Sequence, residues 1–157
     1  MYRALNGDVF FKSQLPGDLH SLMAKIASGK FPDRKKFMPH VPSRLRTLVR
    51  KALQVKPSDR FQAATEMADA LSRVRLILDW SVEPIASGGF RWSAKRPGQC
   101  DLIVEMTNRN GAWDVSSFTQ RTGEPRRAKR KKNNWRRGLS LDDAYSHLND
   151  VFETLPE

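Results

Sequence analysis

Apolar residues recur at helical spacing in the first half of the chain. Leu19, Leu22, Met23 and Ile26 predict a helix over 19–27, with Asp18 placed to cap it and Gly29 to end it. A basic connector, Lys30 to His40, follows. Pro42 then opens a second helix, where a missing N–H costs nothing, and Leu45, Leu48, Val49, Ala52 and Leu53 form its stripe. Lys56-Pro57-Ser58-Asp59 reads as a turn. A third helix is expected over 62–76, with Phe61, Ala64, Met67, Ala68, Leu71 and Val74 along one side.

Near residue 78 the period shifts toward two. Trp80 and Val82 alternate with polar neighbours, as do Phe90 and Trp92 after the turn signal Ser87-Gly88-Gly89. Leu102, Val104 and Met106 alternate next, and Asn108-Arg109-Asn110-Gly111 is a second turn. Trp113 and Val115 begin a further strand in which Phe118 falls out of phase, which predicts a bulge. The pattern gives two hairpins. A basic segment, 124–138, precedes a helix that Ser140-Leu141-Asp142-Asp143 starts as a capping box. Leu141, Ala144, Tyr145, Leu148, Val151, Phe152 and Leu155 form its apolar face, and Pro156 ends it. The expected fold class is α+β: a three-helix unit over 1–78, then a small domain over 79–157 with a four-stranded antiparallel sheet and one C-terminal helix covering a face of it. Trp80, Trp92 and Trp113 sit at inward strand positions, so they read as core; a ligand groove is the alternative.

Charge adds one feature to this picture. The net charge of +11 is uneven: residues 1–78 hold 15 basic and 6 acidic residues, residues 79–157 hold 13 and 11. Eight of those last thirteen fall between Arg126 and Arg137: Arg126, Arg127, Lys129, Arg130, Lys131, Lys132, Arg136 and Arg137, with Trp135 among them. Lys and Arg neutralise phosphates and Trp stacks on bases, so nucleic acid or another polyanion is the candidate partner. The plain alternative is a solvated loop with Trp135 packed back into the core.

Other chemistry is sparse. His20, His40 and His147 lack metal-ligand spacing, and His147 falls between apolar positions, so exposure is expected. Cys100 is the only cysteine, which excludes an internal disulfide. Ser87-Gly88-Gly89-Phe90 is too short for a phosphate loop. No catalytic, cofactor-binding or metal residue is assigned. No apolar run reaches the ~20 residues that span a bilayer, and the first eight residues do not resemble a signal peptide, so no membrane partner and a cytoplasmic location are expected.

Residues 1–76 carry four stretches that, in order and spacing, resemble the end of the large lobe of a bacterial-like Ser/Thr protein kinase. Met1-Tyr2-Arg3-Ala4-Leu5-Asn6-Gly7-Asp8-Val9-Phe10-Phe11 is similar to the "LYELLTGxxPF" stretch closing the F helix. Leu22 to Pro32 resembles the G helix and its exit, and Val41 to Leu53 the "vPxxLxxlixkaL" of the H helix. Lys56-Pro57-Ser58-Asp59-Arg60-Phe61, with Glu66-Met67 and Ala70-Leu71, is similar to "dPxxRfxsaxEmxxaL". Ala63 stands where the family has a Ser or Thr cap. The resemblance implies a parent that phosphorylates Ser/Thr with ATP and magnesium in a signalling pathway. This chain contains no glycine-rich loop, ATP-pairing lysine, HRD or DFG motif, so as it stands it is expected to be non-catalytic and without cofactor. In the family the arginine matching Arg60 pairs with the glutamate of an APE motif, which this chain also lacks; a local bond to Asp59 or a helix end is the expected substitute. The helices would then leave an apolar face for the remainder of a kinase lobe, another protein, the second domain or a second copy of the chain. The alternative reading is a stand-alone binding module that contacts a polyanion through residues 126–137.

Overall fold

A computed structural model describes residues 1–76, 78–86, 88–121, 123, 124, 127–130 and 132–155, with 127–130 and 132 described by their backbone alone. The chain divides into two compact units, 1–75 and 76–157.

The first unit holds five helices: α1 (Tyr2–Asn6), α2 (Asp8–Lys12), α3 (Leu19–Ala27), α4 (Ser43–Ala52) and α5 (Ala64–Ser72), with a 3-10 turn at Pro57–Asp59 between the last two. Helices α1 and α2 are separated only by Gly7, whose φ of 79° is the left-handed conformation that glycine tolerates. Asp18 caps α3 by accepting the Ser21 N–H at 2.8 Å. Helix α5 is shorter than the expected 62–76. Its N-cap, Ala63, has no side chain to offer an N–H, and Arg73 ends it.

The core of this unit is not built from the helix stripes alone. Phe37, Met38 and Val41, from the connector between α3 and α4, are buried together with Leu45, Val49 and Tyr2. The buried Asn6 side chain fixes this connector: its Oδ1 accepts the Met38 N–H at 2.7 Å and its Nδ2 donates to the Tyr2 carbonyl at 2.8 Å. The Tyr2 hydroxyl donates to the connector carbonyls of Lys36 and Asp33 at 2.7 and 3.0 Å. In contrast, α3 buries none of its residues, and Leu19, Met23 and Ile26 lie exposed along one side of it.

The second unit is a sheet with one helix. Strands β1 (Trp80–Pro84), β2 (Phe90–Ala94), β3 (Asp101–Arg109) and β4 (Ala112–Gln120) run antiparallel in sequence order. The β3–β4 turn is two residues, Asn110 and Gly111, both with positive φ (53° and 88°), the geometry that matches strand twist. The β1–β2 turn is closed by Ile85 and Gly89; Ser87 lies outside the described residues. Trp80, Val82, Trp92, Val104, Met106, Trp113 and Val115 occupy registered positions on one face. Helix α6 (Leu141–Thr154) covers that face with Ala144, Leu148 and Val151 buried. Phe152 meets Trp80 and Trp92 edge-on, with centroids 4.9 and 5.5 Å away. Trp92 is therefore core, Trp80 is half-buried against Phe152, and Trp113 is half-buried. Ser140 caps α6 through its hydroxyl, which accepts the Asp143 N–H at 3.1 Å and donates to the Asp143 carboxylate at 2.6 Å. Leu141, expected on the apolar face, is exposed, and Pro156 lies outside the described residues.

Two expectations are corrected. The sheet is wider than four strands: β5 (Arg127–Arg130) and β6 (Arg136–Leu139) both pair with β4, near its two ends, and share a fifth strand position. Phe118 marks no bulge against β3, because the β3–β4 register is unbroken. It sits opposite Ile103, and both are buried, since their face of the sheet also excludes water there. The register shifts occur instead on the other side of β4, at Thr119/Gln120 against β5 and at Trp113/Val115 against β6.

Candidate polyanion-binding edge

The basic run is part of the sheet. A strand adjoining β4 must satisfy its backbone groups, and β4 offers a second edge once β3 has taken the first. Arg130, Lys129 and Arg127 register against Phe118, Thr119 and Gln120. After a 3-10 turn at Lys132–Asn134, Arg136 and Leu139 register against Val115 and Trp113. Over the described residues 127–130 and 132–139, two short strands and a turn thus stand where a free loop was the alternative. Arg126 and Lys131 lie outside the described residues, as do the side chains of Arg127, Lys129, Arg130 and Lys132.

Trp135 is held in the fold. Its Nε1–H donates to the buried Ser117 carbonyl at 3.0 Å, and its ring is half-buried. Arg136 and Arg137 flank it and are exposed. The Arg137 guanidinium stands 5.9 Å from the indole centroid, within cation–π range, and Arg136 donates to the carbonyls of Trp135 and Asn133 at 2.9 and 3.3 Å. Two further ties secure the segment. Asp114 accepts the Gly138 N–H at 3.1 Å, and the His147 Nε2 lies 3.0 Å from the Asn134 carbonyl. His147 is accordingly half-buried, contrary to the expected exposure, and links α6 to the turn. Sequence reasoning missed these strands because charge masked the pattern. The signal present was Trp135 and Leu139 bracketing Gly138 in an otherwise basic run.

The chemistry this edge can perform is electrostatic. The exposed Arg136 and Arg137 side chains beside a pinned indole suit contact with successive phosphates.

The remaining candidates resolve simply. Arg60 does not pair with Asp59; it is exposed and donates to the carbonyls of Gln54 and Val55, 2.7 and 3.3 Å away, just past the end of α4. The uncapped start of α5 is served from inside the helix: the Glu66 carboxylate accepts the Gln62 N–H at 3.0 Å and binds Lys51 Nζ at 2.6 Å. The Lys51 hydrogen bond first, then the Gln62 N–H, holds the Glu66 carboxyl below its ordinary pKa. Burial pushes the His40 imidazole down to about 4, with the nearby Arg46 charge adding to it. Cys100 is half-buried and unpaired. Among the described residues no three His, Cys, Asp or Glu side chains gather in a metal-binding group, and no helix is long and apolar enough to cross a membrane. No family model, curated protein or solved structure matches the chain.

Proposed function

We propose that residues 1–75 are closing helices of a Ser/Thr-kinase-type large lobe, non-catalytic as they stand, and that residues 76–157 form an accessory domain that targets such a kinase in bacterial signalling. The observation that carries this reading is the order of elements in the first unit. A helix broken at Gly7, helices at 19–27 and 43–52, a turn at 57–59, Arg60 and a helix at 64–72 each fall on the segment whose residues resemble the matching kinase segment. Arg60 donates to the Gln54 and Val55 carbonyls, which suits an arginine whose family partner glutamate is not in this chain. The exposed Val9, Leu19, Met23 and Ile26 suit a unit that packs on further kinase structure, a protein partner or a second copy. ATP and magnesium belong to the parent in this reading. Sequencing the gene upstream of the Met1 codon tests it. An open frame encoding a glycine-rich loop, HRD and DFG supports the reading, whereas an in-frame stop with no intervening start overturns it.

A second reading rests on a separate observation, the pinned basic edge at β5 and β6. Here the second unit binds a polyanion, such as single-stranded nucleic acid, and the helices serve as a scaffold. Binding of an oligonucleotide that weakens steeply with salt supports this; no binding at low salt overturns it.

A further inference from the structure

The first unit contains a cavity of about 480 Å³ beside the ends of α3 and α4 and the connector that follows α3. Four cations line it, Lys30, Arg34, Lys35 and Arg50, against one carboxylate, Asp33. We propose that this cavity is an anion site that takes a phosphomonoester group.

The argument begins with Arg34. Its guanidinium is half-buried, and its partners among the described residues are all neutral oxygens: the carbonyls of Leu53 and Gly29, each at 3.0 Å, and Gln54 Oε1 at 3.4 Å. Among the described residues no carboxylate lies within ion-pair reach of it. A half-buried cation satisfied only by dipoles still lacks counter-charge. Its position is built rather than incidental. Gly29 has a φ of 67°, and a side chain there would meet the Val55 side chain and close on the Arg34 guanidinium. The glycine therefore permits Arg34 to reach across the cavity.

The other cations are equally uncommitted. The Arg50 guanidinium donates through Nε to the Arg34 carbonyl at 3.0 Å and lies over the Phe37 ring, which fixes its plane, but among the described residues it makes no ion pair. Lys30 and Lys35 are exposed, and among the described residues their ammonium groups have no partner. Asp33 is engaged elsewhere: its Oδ1 accepts the Lys35 N–H at 3.0 Å and its Oδ2 stands 4.0 Å from Lys36 Nζ. Two oriented guanidiniums and two exposed ammonium groups around one opening match the tetrahedral oxygens of a phosphoryl dianion. The volume exceeds what a bare phosphate fills and lies within the range of small-molecule sites, so it leaves room for the group that carries the phosphate.

This inference is independent of both functional readings above. It is tested on the full chain by residue-resolved amide NMR, titrating inorganic phosphate at constant ionic strength. Saturable shifts at Gly29, Lys35 and Gln54 are expected. The paired exposed substitutions Lys30→Ala and Lys35→Ala should weaken binding roughly tenfold or more, because each removes a charge-assisted donor. Lys56→Ala, an exposed cation outside the cavity, should leave it unchanged. Parallel titrations with O-phosphoserine and glycerol 3-phosphate identify the carrier: tighter binding of the first indicates a phosphorylated side chain, and of the second a small phosphorylated metabolite. The proposal is overturned if millimolar phosphate leaves those three amides unmoved, or if their shifts persist at the same affinity in the Lys30→Ala/Lys35→Ala protein.

Discussion

Trp135 offers two incompatible jobs, and substitution separates them. As an anchor it ties the basic edge to β4; as a platform it presents a face for a base. Trp135→Phe keeps an aromatic face and removes the donor. The lost bond to the Ser117 carbonyl contributes roughly 0.5–1.5 kcal/mol, and leaving that carbonyl without its partner brings the total to roughly 1–3 kcal/mol. Ser117 is fully buried and among the described residues its hydroxyl oxygen has no hydrogen-bond partner, so the site has little polar compensation in reserve. In a domain the size of residues 76–157, each kcal/mol moves the unfolding midpoint by about 4–8 °C, so a fall of roughly 4–24 °C is expected. The assay is thermal unfolding followed by near-UV circular dichroism, run beside anisotropy with a fluorescent single-stranded oligonucleotide well below the midpoint. Trp135→Leu removes the face as well. If the indole is an anchor, both variants lose stability, and affinity for the oligonucleotide changes little between Trp135→Phe and Trp135→Leu. If it is a platform, Trp135→Leu weakens binding by roughly five- to a hundredfold, the loss of one stacked base. An unchanged midpoint for Trp135→Phe together with that loss for Trp135→Leu refutes the anchoring argument.

Three further outcomes follow from the same geometry. Ala63→Ser gives α5 the cap it lacks and should stabilise the first unit by about 0.5–1 kcal/mol in urea denaturation. Gly89→Ala places a methyl group on the Met106 carbonyl and should disrupt the β2–β3 pairing, whereas Gly88→Ala faces open space at a φ of 78° and should cost only about 1 kcal/mol; equal midpoints for the two would contradict this. His40 is neutral in the fold, with its pKa near 4, so unfolding takes up a proton between about pH 4 and the unfolded value of 6.5. Stability from this group is complete above pH 6.5 and declines as pH falls toward 4, by on the order of 2–3 kcal/mol, and comparing His40→Gln with the parent protein in urea at pH 7 and 4.5 isolates it from the carboxylates.

Local signals were legible wherever one side chain decides the backbone. Asp18 and Ser140 cap the helices their positions announced, and Asn110-Gly111 makes the hairpin its dipeptide predicts. Period-two spacing placed Trp80, Trp92 and Trp113 on one face. What was not legible depended on distant partners. The run Arg126–Arg137 reads as a solvated loop until β4 is seen to have an edge that needs pairing. Phe118 reads as an error of phase until Ile103 appears opposite it. His147 reads as exposed until the Asn134 carbonyl is brought beneath it. The same holds in part for the basic cavity: Lys30, Arg34 and Lys35 share the connector that the sequence already marks as basic, but only the fold brings Arg50 of α4 beside them.

The kinase-type reading of residues 1–75 is tested most directly on the natural product itself. The native gene is tagged at its 3′ end in its own cells, and the tagged protein is purified, weighed intact and mapped by peptides. The account predicts a product much heavier than the 18.0 kDa of this chain, with peptides carrying a glycine-rich loop, an HRD aspartate and a DFG motif ahead of Tyr2. A product of 18.0 kDa beginning at Met1, with no such peptides, would contradict it and leave the basic edge as the functional surface.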